Sequence, residues 1–292
     1  MILDSHIHTA LFDGTPQENQ TKLLADMKKV GIDGGVIISL DPRSYPDMNY
    51  VQRLDHVLAL CEGQDLLFPF FWIDPLEENA VEQVDYAVSR GIQGFKMICT
   101  DYYPSDPRCL AVCRRAAELD KPVTFHSGIL WDGRESAKYN RPGEFECLLE
   151  IPHLRFVLAH VSWPWCEENL AVYGKFENAH VLRPDLSCEM FVDTTPGTPR
   201  NRRKPVFEMV FEGDYEMKYN TLFGTDCSTD AYNLSWVREW RKRDVEILRE
   251  CGMDDDFLDH YYCKNLLRYL GRSDEKVCKQ PVEMADHSLQ DE

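Results

Sequence analysis

Short runs of β-branched and aromatic residues recur down the whole chain, each separated from the next by a stretch whose apolar positions repeat with a helical period. Eight runs predict strands, over residues 2–6, 35–39, 67–73, 94–98, 122–126, 155–160, 189–193 and 221–225. The stretches between and after them predict helices over 17–30, 48–61, 77–90, 107–119, 142–150, 164–176, 203–211 and 233–250. Punctuation agrees with this division. Gly31 and Gly91 follow the first and third helices, while Pro107, Pro142 and Pro164 stand in first turns, where the missing N–H is tolerated. Residues 179–186 offer an alternative seventh strand, against which Pro184 argues.

Strands alternating with helices imply βαβ crossovers and a parallel sheet, and eight such units predict closure as a single (β/α)8 TIM barrel, an α/β fold. A helix over 255–270 is expected to pack on the barrel wall. After Gly271 the sequence turns polar, so one domain over 1–271 and a disordered tail over 272–292 are expected.

Composition narrows the function. With 43% hydrophobic residues, the 292-residue chain can bury a core without disulfides or structural metals. Its formal charge of -18 repels nucleic acid and anionic membranes, which leaves a small-molecule substrate as the expected partner and a homo-oligomer as an open option. The 11 cysteines are scattered without a CxxC pair and read as reduced thiols; Cys109 and Cys113, four apart, are expected to pack a helix rather than hold a soft metal. The first residues, Met1-Ile2-Leu3-Asp4-Ser5-His6, lack a basic region followed by an apolar stretch, and no long apolar run occurs elsewhere. A soluble cytoplasmic protein is expected.

The chemistry lies where the apolar runs stop. His6 and His8 end the first strand two residues apart, so the strand period sends both imidazoles to one face. His126 closes the fifth strand, His160 closes the sixth, and Asp226 follows the eighth. In a parallel barrel these ends share one rim, the rim that carries catalysis. Four histidines and a carboxylate there make a nitrogen and oxygen donor set suited to Zn, Mn or Fe(II), and they would be expensive to desolvate without a metal or partners.

Asp4-Ser5-His6-Ile7-His8 resembles the strand-one signature of the amidohydrolase superfamily. Gly94-Phe95-Lys96-Met97, the segment 122–128, Ala159-His160-Val161, Val192-Asp193-Thr194-Thr195 and Phe223-Gly224-Thr225-Asp226 are similar to blocks of the amidohydrolase-related family that includes aminocarboxymuconate-semialdehyde decarboxylase. The resemblance implies that His6, His8 and His126 bind one divalent metal, zinc first with Mn or Fe as alternatives. Asp226 would be the strand-eight ligand that also moves protons. His160 would polarise a carbonyl, hold the attacking water or ligate a second metal. The implied reaction is hydrolysis of an amide, lactone or ester by metal-activated water; the alternative is non-oxidative decarboxylation of an aromatic or unsaturated acid.

Lys96, at the end of strand four, has several readings. It could be carbamylated to bridge two metals, with His126 and His160 completing the second site, as in other branches of the superfamily. A substrate carboxylate or an ion pair with Asp101 is the expectation placed first. Trp131, Arg134 and Trp163 are further substrate-binding candidates from the loops, with Tyr102, Tyr103, Arg141 and Trp165 beside them. Arg200, Arg202, Arg203 and Lys204 form a basic run that reads as a solvated helix start or a subunit contact.

Overall fold

A computed structural model describes residues 1–273, so the tail expected over 272–292 lies, beyond 273, outside the described residues. Its strands are β1 (Leu3–His8), β2 (Gly34–Ile38), β3 (Leu67–Trp72), β4 (Gly94–Met97), β5 (Val123–Phe125), β6 (Arg155–Leu158), β7 (Glu189–Asp193), β8 (Thr221–Leu222) and β9 (Cys227–Ser228). All pair in parallel, in the order β8-β7-β6-β5-β4-β3-β2-β1-β9.

β8 and β9 are the two ends of one eighth strand. β8 pairs with β7 and β9 with β1, and between them the Ser5 amide donates to the Phe223 carbonyl at 2.8 Å and the Asp226 amide to the His6 carbonyl at 3.0 Å. The ring therefore closes through a broken strand, where an unbroken one over 221–225 was expected. The break has a local cause: Asp226 sits in the left-handed region at φ 57°, which strand geometry excludes.

The helices are α1 (Pro16–Lys29), α2 (Tyr50–Cys61), α3 (Ala80–Ser89), α4 (Pro107–Glu118), α5 (Cys166–Leu182), α6 (Arg200–Phe211), α7 (Leu234–Glu250), α8 (Asp255–Asp259) and α9 (Asn265–Tyr269), with a π-turn over His260–Lys264 joining the last two. α1 starts at a capping box in which the Thr15 side chain and Glu18 satisfy each other's backbone amides. Pro142–Glu150 winds as 3-10 turns rather than as the expected α-helix. The seventh strand takes its expected place at Glu189–Asp193, while residues offered as its alternative continue α5 to Leu182.

Two apolar layers hold the barrel. Ile7, Phe71, Phe95, Phe125, Leu158 and Val192 face the helices. Leu3, Val36, Phe68, Phe70, Val157, Phe191 and Leu222 fill the interior, joined by Leu266, Tyr269 and Leu270 of the C-terminal segment. Gly94 is required by this filling, since a Cβ there would stand 2.2 Å from the Phe70 ring. No helix among the described residues is long and apolar enough to cross a membrane.

Candidate metal centre

β1 does not alternate cleanly. Between Asp4 and Ile7 it carries one more residue than β2, which advances only from Gly35 to Ile37. This bulge re-phases the strand. Leu3 enters the interior filling while Asp4 turns toward strand eight, where it accepts from the Thr225 amide at 3.0 Å, the Thr225 hydroxyl at 2.6 Å and the Tyr232 hydroxyl at 2.9 Å. Past the bulge His6 and His8 point together into the mouth, their Nε2 atoms 3.1 Å apart.

Asp226 completes the approach. Its Oδ1 lies 3.4 Å from His8 Nε2 and 3.7 Å from His6 Nε2. Gly224 lets strand eight come this close, because a Cβ there would sit 2.8 Å from Ser5 Oγ and 3.0 Å from the His6 Cβ. His160 follows from the other side, its ring centroid 5.5 Å from that of His6 and 5.1 Å from that of His126. The residues His160, Val161 and Ser162 all have positive φ, a strained backbone of the kind that surrounding structure must enforce. Donor atoms of His6, His160 and Asp226 lie within 4.8 Å of one another.

Protonation is set by burial and neighbours. Burial drives His6 down to about 3, with the Lys96 ammonium adding to the shift. Burial likewise lowers His126 and His160, so both rings are neutral. Asp193 is the residue that orients His6: its Oδ2 stands 3.0 Å from Nδ1 and it also receives the Thr195 amide at 2.5 Å. Burial pushes the Asp193 carboxyl up, but the hydrogen bonds from His6 and Thr195, with the electrostatics of the neighbouring imidazoles, hold it below its ordinary value. A carboxylate at Nδ1 fixes the proton there and leaves Nε2 as a lone pair facing Asp226.

These residues fit a divalent cation. Tetrahedral nitrogen and oxygen ligands of zinc stand about 3.3 Å from one another, which is close to the 3.1, 3.4 and 3.7 Å separations among His6, His8 and Asp226. His126 Nε2 and His160 Nδ1 are buried without a hydrogen-bond partner among the described residues. Two orphaned imidazole nitrogens beside a cluster of acceptors are costly unless an added group satisfies them.

The site opens into a cavity of about 870 Å³. Lys96, Trp131 and Trp163 line it, but Arg134 does not; its guanidinium lies 3.6 Å from Asp101 and 3.6 Å from Asp132. Lys96 is buried with Nζ 3.4 Å from His6 Nε2, and burial lowers it to about 8 despite Asp226 and Asp193. Asp101, its expected ion-pair partner, faces Arg134 instead. Trp131 is 86% exposed at the rim. Tyr102 is buried against the Ile98 carbonyl, Tyr103 packs on Tyr139, and Arg141 lies over Trp165 and pairs with Glu168. The basic run is neutralised locally: Arg200 pairs with Glu239, Arg203 with Asp244 in the interior, and Lys204 with Glu250.

Further lining residues went unmarked in the sequence. Arg43 and Thr198 line the cavity from loops, Trp72 from the end of β3, and Trp236 and Trp240 from α7. The one legible signal was Asp193, an acidic residue ending a buried strand.

An amidohydrolase family model matches residues 3–265. Solved structures share the fold at low identity. An amidohydrolase-type protein from Staphylococcus aureus is similar at TM-score 0.62 and 12% identity, covering 92% of this chain and 99% of its own. Amidohydrolase 2 from Bifidobacterium longum subsp. infantis gives 0.58 and 14%, with 93% and 99% covered. A dihydroorotase from Campylobacter jejuni gives 0.55 and 13%, with 94% and 84% covered. No curated protein matches the chain.

Proposed function

This chain belongs to the amidohydrolase family, and we propose from that premise that it is a hydrolase acting on an amide, lactone or ester of a small molecule at its barrel mouth. The observation that carries the reading is the convergence of His6 Nε2, His8 Nε2 and Asp226 Oδ1 within 3.7 Å, with His6 oriented by a buried carboxylate. His6, His8, His126 and Asp226 would hold one divalent metal. Such an ion supplies a Lewis acid and brings the pKa of water bound to it toward neutrality.

The protein's own residues supply the proton movements and the positioning. Asp226 Oδ1 accepts the proton of the attacking water; the neighbouring imidazoles and the His8 contact offset its burial and keep it ionised at working pH. The same carboxyl group then returns that proton to the leaving atom. His160, neutral in the interior, donates a hydrogen bond to the substrate oxygen on which negative charge develops. Trp72, buried beside His8 with ring centroids 5.6 Å apart, keeps that side of the mouth dry.

Lys96 favours a second reading. A buried ammonium beside this cluster can hold a substrate carboxylate, the group a decarboxylase must release.

The deciding experiment is elemental analysis of protein purified without chelators, followed by a screen of lactones, amides, esters and aromatic acids that scores hydrolysis and CO2 release separately. One divalent ion per chain, lost in the His6→Ala/His8→Ala double variant, with hydrolytic turnover, is the expected result. Full metal content in that variant overturns the ligand assignment, and CO2 release without hydrolysis moves the chain to the lyase reading.

A further inference from the structure

Behind the metal centre a charged pair occupies a place that apolar side chains could fill. Arg203 of α6 and Asp244 of α7 are each 1% exposed. The guanidinium lies against the rings of Phe207 and Trp240, whose centroids stand 4.2 and 4.9 Å from its central carbon. It holds Asp244 with two donors, Nε to Oδ1 at 2.9 Å and Nη2 to Oδ2 at 2.7 Å. Arg200 and Lys204 of the same basic run keep their ion pairs at the surface. Replacing a buried pair by apolar side chains of similar volume is often neutral or stabilising, so joining α6 to α7 does not by itself account for this one.

The pair has a third partner. Arg203 Nη2 also donates to the Thr194 carbonyl at 2.5 Å. That carbonyl belongs to the peptide unit joining Thr194 to Thr195, and the N–H of the same unit donates to Asp193 Oδ1 at 2.5 Å. The other oxygen of Asp193 stands 3.0 Å from His6 Nδ1. One rigid planar group is thus held at both ends, by Arg203 on its oxygen and by Asp193 on its nitrogen. A cation at the oxygen polarises the unit and strengthens its N–H as a donor, since hydrogen bonds in series reinforce one another in a low-dielectric interior. The contacts run without a break from Asp244 through Arg203, the peptide and Asp193 to His6.

We propose that Arg203, held by Asp244, is a positioning residue for His6: it fixes the Thr194–Thr195 peptide, whose N–H orients the Asp193 carboxylate on the His6 ring. The inference rests on the metal site of the proposed function for what His6 does. It gives the buried pair a task in that site beyond joining two helices.

The test uses the full chain carrying Arg203→Met with Asp244→Leu, a double variant that removes both charges and leaves no buried ion unpaired. Thr194 stays tied through its hydroxyl to the Leu222 carbonyl and the Tyr261 hydroxyl, so the segment keeps its place and only the peptide is released. Zinc affinity is measured by competition with a chelator in the wild type, the double variant, Asp193→Asn and the triple variant. The double variant is expected to bind zinc about fivefold more weakly, a smaller loss than the roughly tenfold typical of groups that touch a metal ligand directly. In the Asp193→Asn background the same change should matter by less than about twofold, because an effect relayed through Asp193 then has no route. Equal factors in both backgrounds, or no loss in either, overturn the proposal. Arg203→Lys, which keeps the charge but not the fork, is read by the same criteria if the double variant does not fold. A second readout needs no metal. The His6 Nδ1 proton, assigned in protein with isotope-labelled histidine by its absence in His6→Gln, should move upfield in the metal-free variant as its bond to Asp193 loosens; an unmoved resonance overturns the proposal. A wild-type chain that binds no zinc fails the metal reading instead, and the proton resonance then decides the role of Arg203.

Discussion

The two ends of the barrel interior are built by opposite rules. At the bottom, Phe68, Phe70 and Phe191 of regular strands interdigitate with Tyr269 of α9, and Gly94 leaves the space that Phe70 occupies. At the mouth regularity fails around three of the candidate residues: a bulge lies at His6, a left-handed turn holds His160, and Asp226 interrupts strand eight. Apolar packing tolerates only a repeating pleat, whereas convergence of five polar side chains on one point requires departures from it. Apolar packing is thus concentrated in one end and the candidate site in the other.

Four substitutions sharpen or break that division. Phe70→Ala, at a fully buried ring, should cost about 3–5 kcal/mol in denaturant unfolding. Metal binding in the surviving folded fraction should be unchanged; loss of metal at full stability would erase the boundary. Asp226→Asn should lower turnover at least about 10²-fold, because an amide cannot accept the water's proton. Its metal content, checked by elemental analysis after reconstitution, should persist on the histidines, and near-normal turnover would move the proton transfer to His160.

Asp193→Asn should weaken metal binding about tenfold in a competitive chelator titration, since the charge that orients His6 is lost. An unchanged affinity would make Asp193 a packing residue only. The smallest effect is expected at the boundary itself. Thr124, with its hydroxyl 3.1 Å from that of Tyr269, lies two residues below His126. Thr124→Val should cost about 1 kcal/mol and leave turnover alone; a larger loss of turnover than of stability would mean that the mouth extends deeper than His126.

The same division explains what could be read in advance. Strand order and closure followed from hydrophobic period, because the bottom end obeys it. His6, His8, His126, His160 and Asp226 were legible because each stands where an apolar run stops. Asp4 was not, since strict alternation groups it with His6 and only the bulge sends it to Thr225 and Tyr232. Thr198 and Trp240 were hidden for another reason. They lie in a connection and on the amphipathic helix α7, and only tertiary placement turns them toward the cavity. The 3-10 path of 142–150 was hidden because Pro142 at a first turn suits an α-helix equally well.

The seam between the first and last strands also bears on how the chain acquires its shape. Asp4 reaches its partner Thr225 across 221 residues, so that clasp forms only after nearly the whole barrel has been synthesised. Until then β1 can pair with β2 but presents an unpaired edge on its other side, with His6 and His8 held out on it. Closing so long a loop is entropically expensive and slow. The first strand to leave the ribosome therefore cannot be enclosed on both edges until the last strand has been made, and the mouth that carries His6 and His8 is complete only then.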